Sequence, residues 1–159
     1  MHVPEYMAIQ TERMTDSLAH FIASTHEDKL QWQPQTEGSA PTRSVLEQIA
    51  ECVVVNRMIA AGLRGETPSP PSASGPALVL ANGADAQEQV PTSGAELAAA
   101  IRTMTEEDLG RMYQHPRGQF VGANLIMMPL RNMAYHAGQI NLIQMLAGDP
   151  EFHVPPQWR

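Results

Sequence analysis

Cysteine is nearly missing from this sequence: Cys52 stands alone among 159 residues. A single thiol can close no internal disulfide and build no Cys-based zinc ribbon, and its isolation fits a reducing, cytoplasmic compartment. Aromatic residues are scarce at 5%, so the core has to be assembled from aliphatic side chains and from the ten methionines. Positive charge is short as well. Ten Lys and Arg against 17 Asp and Glu leave a formal charge of -7, and no cation cluster offers the phosphate neutralisation that nucleic-acid binding needs. Long apolar runs are absent too. No segment is expected to span a bilayer, and no charged stretch followed by an apolar one suggests a secretion signal.

What is present is helical periodicity, in a chain long enough to bury one contiguous core without a staple. From about Glu5 to Ser24, Met7, Met14, Leu18, Phe21 and Ile22 fall on one stripe. Leu30, Trp32 and Pro34 read as a turn that folds an aromatic anchor back onto the core. The second helix opens with a capping box, Ser44-Val45-Leu46-Glu47, and is expected to run to about Leu63 and stop at Gly65. Ile49, Val53 or Cys52, Ala60 and Leu63 form its main stripe, and Gln48, Glu51, Val55 and Ile59 trace a neighbouring face.

Residues 66–91 break the pattern, with a Pro- and Ser-rich run from Pro68 to Gly75 and an Asn82-Gly83 turn dipeptide. They read as a crossover loop too long for a tight hairpin, so the second and third helices need not be antiparallel neighbours. A short third helix is expected to begin at Ser93-Gly94-Ala95-Glu96 and to bury Leu97, Ile101 and Met104. Residues 111–122, with Pro116, Gly118 and Gly122, read as irregular. The last helix is expected over 124–147, with Leu125, Met128, Met133, Ala137, Ile140, Ile143 and Leu146 facing inward and Pro129 kinking it or marking its effective start. The expectation is one all-α domain, residues 1–159: a four-helix bundle with a crossover loop at 66–91 and a tail at 149–159.

Polar residues concentrate on two helices. Asn132 and His136, four apart, share a face of the last helix with Gln139 one turn on, and Gln48, Glu51 and Cys52 lie near the stripe of the second. A bundle core can bring such groups together, and Glu51 could pair with His136 while Asn132 completes a polar cluster. Amide oxygens are poor ligands for transition metals. Cys52 reads as a small buried residue, and Tyr135 lies about 100 degrees around the helix from His136. His26, His115 and His153 fall among turn residues and are expected to be exposed, without assigned chemistry. Glu106, Glu107 and Asp108 read as complementing a helix dipole.

The run Asn132-Met133-Ala134-Tyr135-His136-Ala137-Gly138-Gln139-Ile140 resembles the last-helix signature of the DinB/YfiT-like superfamily, in which a His, three residues, a second His, one residue and Gly-Gln precede an aliphatic stretch. Lys29-Leu30-Gln31-Trp32-Gln33-Pro34 resembles that family's turn after the first helix. Ser44 to Glu51 resembles the start of its second helix, where an Ala-His pair carries the first metal ligand. Carried over position by position, the three ligands fall on Glu51, Asn132 and His136, with Gln48, Cys52 and Gln139 as further site-lining candidates.

The resemblance implies the four-helix bundle and a protein that forms homodimers, with Met127, Met128 and Val54 as weak hints of an interface. It also implies three functional classes. The first is a protein with a degenerate metal site that binds a small molecule or has no catalytic role, with no cofactor expected and a Zn or Ni type ion disfavoured. The second is a metal-dependent thiol transferase, isomerase or hydrolase using His136 and Glu51. The third is a dimeric structural module. Neither a nucleic acid nor a membrane is an expected partner.

Overall fold

Pro4 lies in the first turn of the first helix, where its missing N–H costs nothing. The computed structural model describes residues 1–35, 37–38, 42–66 and 78–158. Within them four helices are laid down: α1 (Val3–Ala23), α2 (Val45–Leu63), α3 (Gly83–Arg102) and α4 (Gly122–Leu146). The Ser44 capping box forms as expected, with Ser44 Oγ accepting from Glu47 N and Glu47 Oε2 accepting from Ser44 N at 2.7 Å. At the other end of the molecule Val3 N donates to Glu106 Oε1 at 2.9 Å. One residue of the acidic run thus caps α1, while Asp108 accepts from Thr105 N and Oγ1, both at 2.8 Å.

Two apolar clusters stacked along the bundle fix the helix directions. One joins Leu18 and Phe21 near the end of α1, Val45 and Ile49 from the start of α2, Ala86 and Val90 from the start of α3, and Ile140 and Ile143 from the end of α4. The other joins Met7, Ile59, Ile101 and Leu125 from the opposite halves. Hence α2 and α3 run parallel, and α1 and α4 run parallel to each other in the opposite sense. Each helix packs against its parallel partner and against one helix of the opposite pair, α1 on α4 and α3 and α2 on α3 and α4. Trp32 is partly buried against the first cluster.

Parallel neighbours need a connection that travels back the length of a helix, roughly 28 Å for the 19 residues of α2. The chain from Arg64 to Asn82 makes that return, which agrees with the expected crossover. Its Pro- and Ser-rich run, Pro68 to Gly75, lies outside the described residues.

The third helix departs from expectation. It starts at Gly83 rather than Ser93, capped by Asn82 Oδ1, which accepts from Asp85 N at 2.9 Å, while Asp85 Oδ2 accepts from Ala81 N at 3.0 Å. Pro91 is inside the helix rather than before it. Ser93 is fully buried and caps nothing: its hydroxyl donates to Val90 O at 3.0 Å and accepts from Asn56 Nδ2 at 3.3 Å. The stretch expected to be irregular contains an antiparallel hairpin, β1 (Met112–His115) and β2 (Gly118–Val121), closed through Pro116 and Arg117 with Gly118 at φ +122. In α4, Pro129 is interior and no boundary, and Leu146, expected inside, is exposed.

α1 and α3 meet tightly at Gly94, where an added Cβ would lie 2.4 Å from Thr15 Cγ2 and 2.6 Å from Thr15 Oγ1. Thr15 cannot swing aside freely, because its hydroxyl donates to Glu12 O at 2.8 Å. Gly94→Ala is therefore expected to lower stability by about 1–3 kcal/mol, the usual cost of overpacking, despite the helix propensity gained. Denaturant titration should show the loss, and a Thr15→Ala background should relieve only part of it, because Thr15 Cβ, 2.9 Å from the added carbon, remains. An unchanged midpoint for Gly94→Ala would show that the contact tolerates a methyl group.

Candidate functional site

Antiparallel packing of α2 on α4 brings Gln48 and Glu51 against His136 and Asn132. The His136 ring is buried, 3% exposed, with its Nδ1 in direct contact with Gln48 Oε1. With the Gln48 amide oxygen assigned to face it, Nδ1 donates, and the Nε2 lone pair of the neutral ring turns towards Glu51. Glu51 Oε1 stands 3.4 Å from that Nε2 and accepts from Asn132 Nδ2 at 3.4 Å. Its other oxygen is ion-paired with Arg43, in the segment just before α2. Burial lowers the basicity of His136, Gln139 works against that shift, and the Arg43 charge adds to it.

Among the described residues three buried atoms here have no hydrogen-bond partner: His136 Nε2, Asn132 Oδ1 and Gln139 Oε1. The family-derived positions Glu51, Asn132 and His136 therefore do converge, with Gln48 and Gln139 beside them. Cys52 lies in the apolar cluster, fully buried, and burial pushes its thiol well up, away from the reactive thiolate. Tyr135, separated from His136 around the helix, still meets the imidazole edge-on with ring centroids 5.4 Å apart while remaining exposed.

The donor set does not fit a transition ion. Among the described residues no group of three or more His, Cys, Asp or Glu is assembled to hold a metal. What stands here is one imidazole, one amide and one carboxylate already neutralised by a guanidinium. Zinc sites take nitrogen, sulfur or free carboxylate ligands, and an amide oxygen is a weak substitute.

Sequence reasoning missed Arg43, whose only signal is a basic residue immediately before a helix cap. It also missed the half-buried pairing of His153 Nε2 with Asp149 Oδ2 at 2.7 Å. That pair helps line a cleft of about 480 Å3 with Ser24, Thr25, His26 and Gln144, at the ends of α1 and α4. His26 is exposed as expected, whereas His115 is half-buried and meets Phe120 edge-on at 5.3 Å.

The sequence pattern of the DinB superfamily matches residues 10–140. Among solved structures, the chain is similar to a conserved protein from Enterococcus faecalis at 13% identity and a TM-score of 0.72, covering 92% of this chain and 97% of that one. It is also similar to a histidine-to-alanine mutant of the mycothiol-dependent maleylpyruvate isomerase at 16% identity and a TM-score of 0.64, covering 87% of this chain and 61% of the isomerase. At these identities the likeness concerns the fold. No curated protein matches.

Gln48 sets the tautomer of His136, and Gln48→Leu should remove that control. Nitrogen-15 spectra of the parent chain are expected to show a neutral ring protonated at Nδ1. The variant should show a tautomer mixture and a stability loss of about 1–3 kcal/mol, the cost of an unpaired buried donor. A parent ring protonated at Nε2 would contradict the assignment.

Proposed function

The chain belongs to the DinB superfamily, and on that premise we propose that it is a bundle whose central polar site binds a small molecule without a catalytic transition ion. The observation that carries this reading is the Arg43–Glu51 ion pair. It occupies the one anionic ligand position, and the other two positions offer a single imidazole and an amide.

The enzymatic alternative, a metal-dependent thiol transferase, isomerase or hydrolase, requires a Lewis acid with an open coordination position. Mycothiol dependence is a property of the isomerase neighbour. In this chain the buried, protonated Cys52 offers no nucleophile in its place. The unpaired thiol supports a cytoplasmic setting, and no described helix is long and apolar enough to cross a membrane.

The reading includes a homodimer. Its support is a stripe on α4 in which Tyr135, Leu142 and Met145 are all exposed at helical spacing, with open space around Gly138 between them. Met127 and Met128 are instead partly buried against the second apolar cluster.

Protein incubated with excess zinc or nickel and then desalted is expected to retain far less than one ion per chain by elemental analysis. Retention at one per chain overturns the proposal. The double substitution Glu51→His with Asn132→His should convert the chain into one that keeps zinc stoichiometrically. For the dimer, light scattering at two concentrations should give twice the chain mass, and Leu142→Glu with Met145→Glu should halve it. A parent chain that is monomeric at both concentrations removes that part of the reading.

A further inference from the structure

The chemical class of the bound molecule can be read from the unmet groups of the site, an inference that rests on the small-molecule reading above. All three orphaned atoms are acceptors: the amide oxygens of Asn132 and Gln139, and His136 Nε2, whose ring has its proton on the Gln48 side. The three residues stand at i, i+4 and i+7, so they line one face of α4 over about 10 Å. Glu51 Oε1 is a fourth acceptor, held only by long contacts of 3.4 Å. No orphaned donor faces them among the described residues. Such a wall asks for a partner that brings N–H groups, and the Glu51 carboxylate asks for one that brings positive charge.

Arg43 displays that chemistry. Its guanidinium is on Glu51 Oε2, and its side chain, over half exposed, reaches in from outside the helix rather than through the core. Glu51 is itself about one-third exposed, so the approach to the acceptor wall runs past this ion pair. The net charge of -7 makes the chain as a whole attractive to cations. We infer that the polar cluster of Glu51, Asn132, His136 and Gln139 binds, from its half-exposed Glu51 side, a small organic cation with N–H donors, of the alkylammonium or guanidinium class, and that Arg43 is its tethered competitor. A group tethered this closely competes at an effective concentration in the millimolar range. Free ligand therefore binds weakly to the parent chain and better when the tether is removed.

The test titrates the full chain with methylguanidinium and with ethylammonium, following the His136 ring signals and heat release, with acetate and zinc as control arms. Arg43→Ala and Arg43→Gln are both used, with circular dichroism as the check on folding. Either variant is expected to bind at least one of the two cations tenfold or more tighter than the parent. Adding Glu51→Gln should abolish the gain, and adding Gln139→Leu should weaken it. Failure of both folded variants to respond to either cation overturns the inference, as does an equal response to acetate or a gain indifferent to Glu51→Gln. A site that holds only ordered water would give the first of these results. The zinc arm separates the two readings: stoichiometric zinc overturns the metal-free proposal, whereas silence toward both zinc and the cations overturns this inference alone.

Discussion

Two parallel neighbours, α2 and α3, impose the constraint from which the remaining arrangement follows. They cannot be joined by a short turn, so the chain has to return along the bundle between Arg64 and Asn82. With that pair running one way, α1 and α4 run the other, α1 packing across α3 and α4 across α2. The seam between α2 and α4 is thereby antiparallel, and it lets the first turns of α2 meet the middle of α4. Gln48 and Glu51 reach His136 and Asn132 for that reason alone.

The polar seam is a balance of buried and half-exposed charge. A carboxylate beside a buried imidazole would ordinarily draw a proton onto the ring, yet burial and the Arg43 guanidinium both push the other way. Placing the compensating cation on the chain itself removes the need for a loaded ion to neutralise Glu51. The cost falls on the acceptors behind it. Among the described residues Asn132 Oδ1, Gln139 Oε1 and His136 Nε2 find no donor, and buried acceptors left that way are uncommon in folded proteins.

How far this was legible in the sequence depended on the range of the interaction. The Ser44–Glu47 box is local, and it formed as read. The same pattern at Ser93–Glu96 failed because tertiary packing placed Ser93 opposite Asn56 in the interior, while Asn82 and Asp85 supplied the true cap. Pro91 read as a break because an interior proline usually is one, yet helix contacts on both sides hold α3 together through it. The hairpin has strands of four residues, too short for alternation to stand out beside Pro116 and Gly118. Within the site, the i, i+4 spacing fixed Asn132 and His136 on one face from sequence alone. The part played by Arg43 depends on where the chain before α2 comes to rest, which no local pattern encodes. Leu146 continued the apolar period of α4 but lies in its last turn, past the reach of the core.

The cap on α1 has a consequence in time. Val3 N is satisfied by Glu106, a residue 103 positions later, and the helices that cover α1 are α3 and α4 rather than its sequence neighbour α2. As the chain is synthesised, the first helix emerges with neither its cap nor its packing partners yet made. Contacts of such long sequence separation raise the loop-closure cost that precedes them. This helix is therefore made before the elements that secure it, and its apolar stripe waits uncovered until α3 and α4 exist.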